Sequence, residues 1–139
     1  MKTVKLYRPV GIKELELIMA SAWLLFPPRL EWQPIFYPVL NQLYAEQIAD
    51  QWNTKDPSSG YCGIVTAFDL LETHYSKFIV QNVGGDIHNE LWVPAEELDE
   101  FNRNIVGQID VVKVFFGGEF RLPENGGMAE LLQKFRENE

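Results

Sequence analysis

A chain of 139 residues, 46% hydrophobic and 23% charged, has the size and composition of one globular domain, which excludes wholesale disorder. Its formal net charge of −8, with twelve Lys and Arg against twenty Asp and Glu, excludes general nucleic-acid binding, because phosphate neutralisation needs clustered cations and these stand singly. A lone cysteine, Cys62, excludes an internal disulfide, and two His with one Cys match no zinc pattern.

The first ten residues lack the apolar core of a signal peptide, and no run approaches the roughly 20 apolar residues that span a bilayer. A cytoplasmic protein that does not engage membranes is therefore expected. Thr3 to Arg8 alternates polar and apolar residues and reads as a first strand, stopped by Pro9. From Gly11 an amphipathic helix places Ile12, Leu15, Ile18 or Met19, and Ala22 on one stripe, and Pro27-Pro28 ends it. A loop carrying Trp32 leads to a short strand, Ile35-Phe36-Tyr37, closed by Pro38.

Asn41 is a plausible N-cap for a helix to about Trp52, with Leu40, Tyr44, Ile48 and Trp52 at helical spacing. Asn53 to Gly60 collects turn formers without an apolar anchor and predicts an exposed, flexible loop. It divides an α-rich first third from a β-rich remainder. Tyr61 to Phe68 is a near-continuous apolar run, hence a central strand that buries Cys62 as a small hydrophobe.

A turn or short helix over Asp69 to Ser76 precedes a strand from Lys77 to Val83, stopped at Gly84-Gly85. Glu90 to Val93 reads as a short strand, and Pro94 as the first position of an acidic helix to Asn102. Ile105 to Phe116 is a long strand with a bulge at Gly107, buried from Ile109 to Phe115. A tail from Gly117 ends in a helix, Met128 to Arg136, whose stripe of Met128, Leu131, Leu132 and Phe135 should dock on the same domain. The fold class expected is α+β: a single domain, 1–139, with a mixed but mostly antiparallel sheet, helices near the N-terminal third and a C-terminal helix.

Three segments carry side chains suited to chemistry. Lys5-Leu6-Tyr7-Arg8-Pro9 ends the first strand with a guanidinium. Pro34-Ile35-Phe36-Tyr37 leads into the helix of Tyr44-Ala45, and His88-Asn89-Glu90-Leu91-Trp92-Val93-Pro94 opens a strand with a carboxylate. Singly, Arg8 is as readily a partner for a carboxylate, Tyr37 a core ring and Glu90 a solvated edge charge.

In this order the segments resemble, over Tyr7 to Glu119, the ADP-ribosyltransferase superfamily of the diphtheria-toxin and arginine-transferase type. The resemblance implies NAD as the bound substrate, held by Arg8, with Tyr37 stacked on nicotinamide. It implies Glu90 as the catalytic carboxylate that stabilises positive charge on the ribose as nicotinamide leaves. Two motif positions differ from the family: Pro38-Val39-Leu40-Asn41 stands in place of Ser-Thr-Ser, and His88 in place of a second glutamate. On this reading His88 would deprotonate water or an acceptor other than arginine. The competing reading is a non-catalytic acidic module of immunity or antitoxin type, in which Trp23, Trp32 or Trp92 and nearby carboxylates meet a basic protein partner.

Overall fold

Residues 1–137 are described in the computed structural model of the protein. Strands β1 (Thr3–Val10), β3 (Cys62–Leu71) and β7 (Ile105–Phe116) form a central antiparallel sheet in the order β1-β3-β7. Every strand pairing among the described residues is antiparallel. The fold is α+β, as expected, and among the described residues no helix is long and apolar enough to cross a membrane.

Both faces of β3 are covered, which is why its sequence is a near-continuous apolar run from Cys62 to Phe68, broken only by Thr66, whose hydroxyl donates to the Arg8 carbonyl. Leu6, Val10, Ile64 and Phe68 project into the larger core. There they meet Leu15 and Ile18 of helix α1 (Ile12–Ala20), Leu98 and Phe101 of α4 (Leu98–Arg103), and Met128 and Leu132 of α5 (Gly126–Glu137). Phe26, Phe36, Phe68 and Phe101 interlock at its centre with ring centroids 5.0–6.0 Å apart, mostly edge-on.

On the opposite face Tyr7, Val39 and Val65 pack against Ala45 and Ala49 of helix α2 (Gln42–Gln51). The approach is very close. A Cβ on Gly63 would come within 2.4 Å of the Ala49 carbonyl oxygen, so α2 presents alanines and β3 a glycine where they cross. Asn41 caps α2 as expected, its Oδ1 accepting from the amides of Leu43 and Tyr44 at 2.8 and 3.3 Å.

A second ribbon hangs from β1. Strand β2 (Ile35–Phe36) pairs with β6 (Val93–Pro94), and Val39 bridges Glu90 of β5 (Asn89–Glu90), which pairs in turn with β4 (Gln81–Asn82). The register Ile35–Pro94, Phe36–Val93 and Val39–Glu90 is constant, so Tyr37 lies opposite Trp92. This ribbon meets β1 at one place, where Tyr7 and Val39 exchange backbone hydrogen bonds of 2.9 and 2.7 Å.

Pro9 explains the parting. Tyr7 directs its N–H away from β3 towards Val39, and the nitrogen of residue 9 points to the same side. Pro9 has no proton to offer there, so β1 continues to Val10 while the ribbon diverges. The sequence expectation that Pro9 ends the strand is corrected accordingly, since its unused edge is the one without a partner.

Other boundaries also differ. Helix α1 ends at Ala20, short of Ala22, because Ala22 and Trp23 turn into the left-handed region with φ of 62° and 66°. The Ser21 hydroxyl accepts from the amides of Leu24 and Leu25 and holds that turn. Asn53 to Gly60 is no open loop: it forms two 3-10 turns with Thr54 and Ser59 buried, packed where Gly117 and Gly11 leave no room for a Cβ.

The expected strand Lys77 to Val83 is reduced to Gln81–Asn82, and Pro94 closes β6 before a 3-10 turn at Ala95–Glu97. Strand β7 is an edge rather than a central strand. It bulges beside Gly107, as expected, and again at Val112, which is turned out to 36% exposure. A short helix α3 (Glu72–Tyr75) buries His74 against Phe78 and Phe101, a more apolar setting than its sequence neighbours imply.

Candidate functional site

Glu90 sits on β5 with its carboxylate buried and both oxygens engaged. Tyr44 Oη donates to Oε2 at 2.5 Å and Trp92 Nε1 donates to Oε1 at 2.9 Å. Burial, and then the bond to Glu90, push the Tyr44 hydroxyl well above its usual ionisation range, so it stays a donor. The carboxylate is therefore fixed before any ligand arrives, the preorganisation that electrostatic catalysis requires.

Tyr37 is not core. Its ring is 44% exposed and that of Trp92, opposite it, is 47% exposed. By register the two stand opposite each other across the ribbon, on the same face as the buried Glu90 and Val39. The hydroxyl of Tyr37 lies within electrostatic reach of Tyr44 and also of Arg29.

Arg8 projects to the other face of the sheet. It is 7% exposed, with Nε and Nη2 donating to Glu14 of α1 at 2.8 and 3.0 Å and Cζ 4.7 Å from the centre of the Phe36 ring. Strand alternation thus separates the side chains of Arg8 and Glu90, while Glu90 and Tyr37 share a face. Arg8, expected to hold NAD, has its fork closed on Glu14.

His88 is likewise engaged. Its Nδ1 accepts from the Gly85 amide at 3.0 Å, which places the proton on Nε2, 3.0 Å from Gln47 Oε1. Both nitrogens are engaged, so a general-base role would first require the bond from the Gly85 amide to open. The ring instead packs on Tyr44 at 4.6 Å between centroids and supports the tyrosine that supports Glu90.

Arg29 is the residue that sequence reasoning missed. It lies in the loop after Pro27-Pro28, with Cζ 6.0 Å from the Phe36 ring centre, on the ring that also carries Arg8. Its only sequence signal is a cation in the loop between Pro27-Pro28 and the second strand. Cys62 is buried and inert, burial pushing its thiol up to about 12. Among the described residues no cluster of His, Cys, Asp and Glu is placed to hold a metal ion.

Comparison with protein-family models, curated proteins and solved structures found no match to this chain.

Proposed function

We propose that the protein binds NAD, or its ADP-ribose portion, in the manner of an ADP-ribosyltransferase, where the outer ribbon leaves β1. The observation that carries this reading is the buried Glu90 carboxylate, clamped by Tyr44 and Trp92 beside the exposed ring of Tyr37. Planar rings on a solvent face suit nicotinamide or adenine. A fixed carboxylate next to them suits the positive charge that develops on the ribose as the glycosidic bond to nicotinamide breaks.

The residue assignment differs from the outline of the family. Glu90 keeps the catalytic role and Tyr37 the stacking role, now shared with Trp92. Arg8 braces β1 against α1, and His88 braces Tyr44. Tryptophan fluorescence titrated with NAD tests the binding, and Trp92→Phe should remove most of the quench. At a hundred times its dissociation constant NAD should stabilise the fold by about 2.7 kcal/mol. Glu90→Gln should bind NAD nearly as well as wild type and release no nicotinamide, because the charge acts on the transition state. Unchanged fluorescence and melting temperature at millimolar NAD would end this reading.

A second reading rests on a groove of about 350 Å³ that shares Trp92 with the first site, where Ile79 lies beside Glu97, Glu100 and the Lys77 paired with Glu100. Ile79 is 79% exposed. An apolar floor with an acidic rim suits a basic protein segment, the partner expected of an immunity or antitoxin protein. Ile79→Lys, which puts a cation against the basic partner, should abolish its capture while leaving NAD binding intact.

A further inference from the structure

Two guanidinium groups share the Phe36 ring, and only one of them has a carboxylate fork. Arg8 closes on Glu14 through two hydrogen bonds. For Arg29 no acceptor among the described residues meets Nε, although that nitrogen is buried. A buried, unmatched donor on a charged group is an unusual arrangement in a folded protein, and it calls for an acceptor from outside the chain, an ion or a water.

The local charge points the same way. Arg8, Arg29 and Glu14 sum to a positive cluster on a chain whose net charge is −8. Burial, and then the neighbouring Arg8, disfavour the charge on Arg29, while Glu14 and Tyr37 favour it. An arriving anion would relieve that repulsion and supply the missing acceptor. Guanidinium offers parallel N–H donors to a planar or tetrahedral oxyanion, and phosphate oxygens match them two at a time.

The backbone fixes the direction of approach. Pro27 and Pro28 restrict the chain immediately before Arg29. Leu30 and Trp32, 53% and 75% exposed, flank it on the solvent side. An anion that reaches Arg29 therefore arrives past Leu30 and Trp32, at the edge of the Phe36 ring that Arg29 shares with Arg8.

We propose that Arg29, rather than Arg8, receives a phosphoryl group of a nucleoside diphosphate, its fork left open because Glu14 is committed to Arg8. The assignment deepens the NAD reading and rests on it for the identity of the nucleotide, though not for the anion site itself.

Calorimetric titration of wild type, Arg29→Gln, Arg29→Lys and Glu14→Gln with inorganic pyrophosphate and with ADP-ribose separates the two claims. Wild type should bind both probes. Arg29→Gln should bind each roughly ten- to a hundred-fold more weakly, the value of a charge-assisted hydrogen bond. Arg29→Lys, which keeps the charge without the fork, should fall between them. Glu14→Gln removes the competing carboxylate and should tighten pyrophosphate binding, an outcome that does not depend on how Arg29 variants fold.

Pyrophosphate binding that requires Arg29, with no binding of ADP-ribose or NAD, would uphold the anion site and overturn the nucleotide reading. ADP-ribose bound equally by wild type and Arg29→Gln would uphold the nucleotide reading and overturn the role of Arg29. No pyrophosphate binding by wild type, or equal binding by folded Arg29→Gln, would also overturn it.

Discussion

The hydroxyl of Tyr44 stands 2.5 Å from a carboxylate oxygen of Glu90, joining helix α2 to strand β5 across 46 residues of chain. Its proton is held more tightly in the folded protein than in the unfolded chain, whose tyrosine loses it near pH 10. The stabilisation is thus complete below about pH 10 and is lost as pH rises above it. The melting temperature of wild type should fall more steeply above that point than that of Tyr44→Phe. Identical slopes would take Tyr44 out of the alkaline transition.

His74 gives the opposite edge of the pH profile. Burial first, and then Lys77, lower its proton affinity below the ordinary 6.5, against weaker opposition from Glu100 and Glu97. Its neutral form belongs to the folded state, so stability is present above about pH 6.5 and declines as pH falls through that value. His74→Leu should flatten the melting curve between about pH 7 and pH 5. A slope unchanged from wild type would assign acid sensitivity to other groups.

Ile64 and Val112 should separate cleanly on truncation. Ile64 is fully buried at the centre of β3, and Ile64→Ala should cost about 2–5 kcal/mol in urea unfolding. Val112 stands at a bulge and is turned outwards, so Val112→Ala should stay within about 0.5 kcal/mol. Comparable losses at both sites would mean that β7 is covered on its outer side.

Gly63 tests the close seat of α2. The added methyl of Gly63→Ala would meet the Ala49 carbonyl at 2.4 Å, and a displaced helix should cost about 1–3 kcal/mol. Gly118→Ala is the control, with nothing within 4 Å of its Cβ, and should unfold at nearly the same denaturant concentration as wild type. Because Tyr44 rides on α2, Gly63→Ala should also loosen the bond to Glu90 and shift the alkaline transition.

Local signals proved legible. The apolar run of β3, the Asn41 cap, the Gly107 bulge and the inward stripe of α5 each depend on residues within a turn or two, and each is where the sequence implies. What escaped sequence reasoning depends on partners far along the chain. Asn53 to Gly60 is composed like a loop, yet Gly11 and Gly117 bring other segments onto it. Val112 has the look of a core residue until the register with β3 shifts by one.

The candidate site divides in the same way. Glu90 and Tyr37 could be singled out as residue types at strand ends, but Tyr37 turned out to face solvent opposite Trp92. Nothing local foretold that Glu14 would occupy Arg8, because a strand-to-helix turn must first fold the two together. Arg29 became visible only through its neighbours, a ring shared with Arg8 and a nitrogen without an acceptor.

The single crossing of Tyr7 and Val39 has a mechanical consequence. Among the described residues the backbone ties the ribbon to β1 only there, so the rest of its attachment is made by side chains: Phe36, Leu91 and Val93 sunk in the larger core, and Glu90 bonded to Tyr44 of α2. A continuous ladder passes load from strand to strand through its hydrogen bonds, whereas this joint passes it through packing. The position of Tyr37, Trp92 and Glu90 relative to the central sheet is therefore set by how well the core beneath the ribbon is filled.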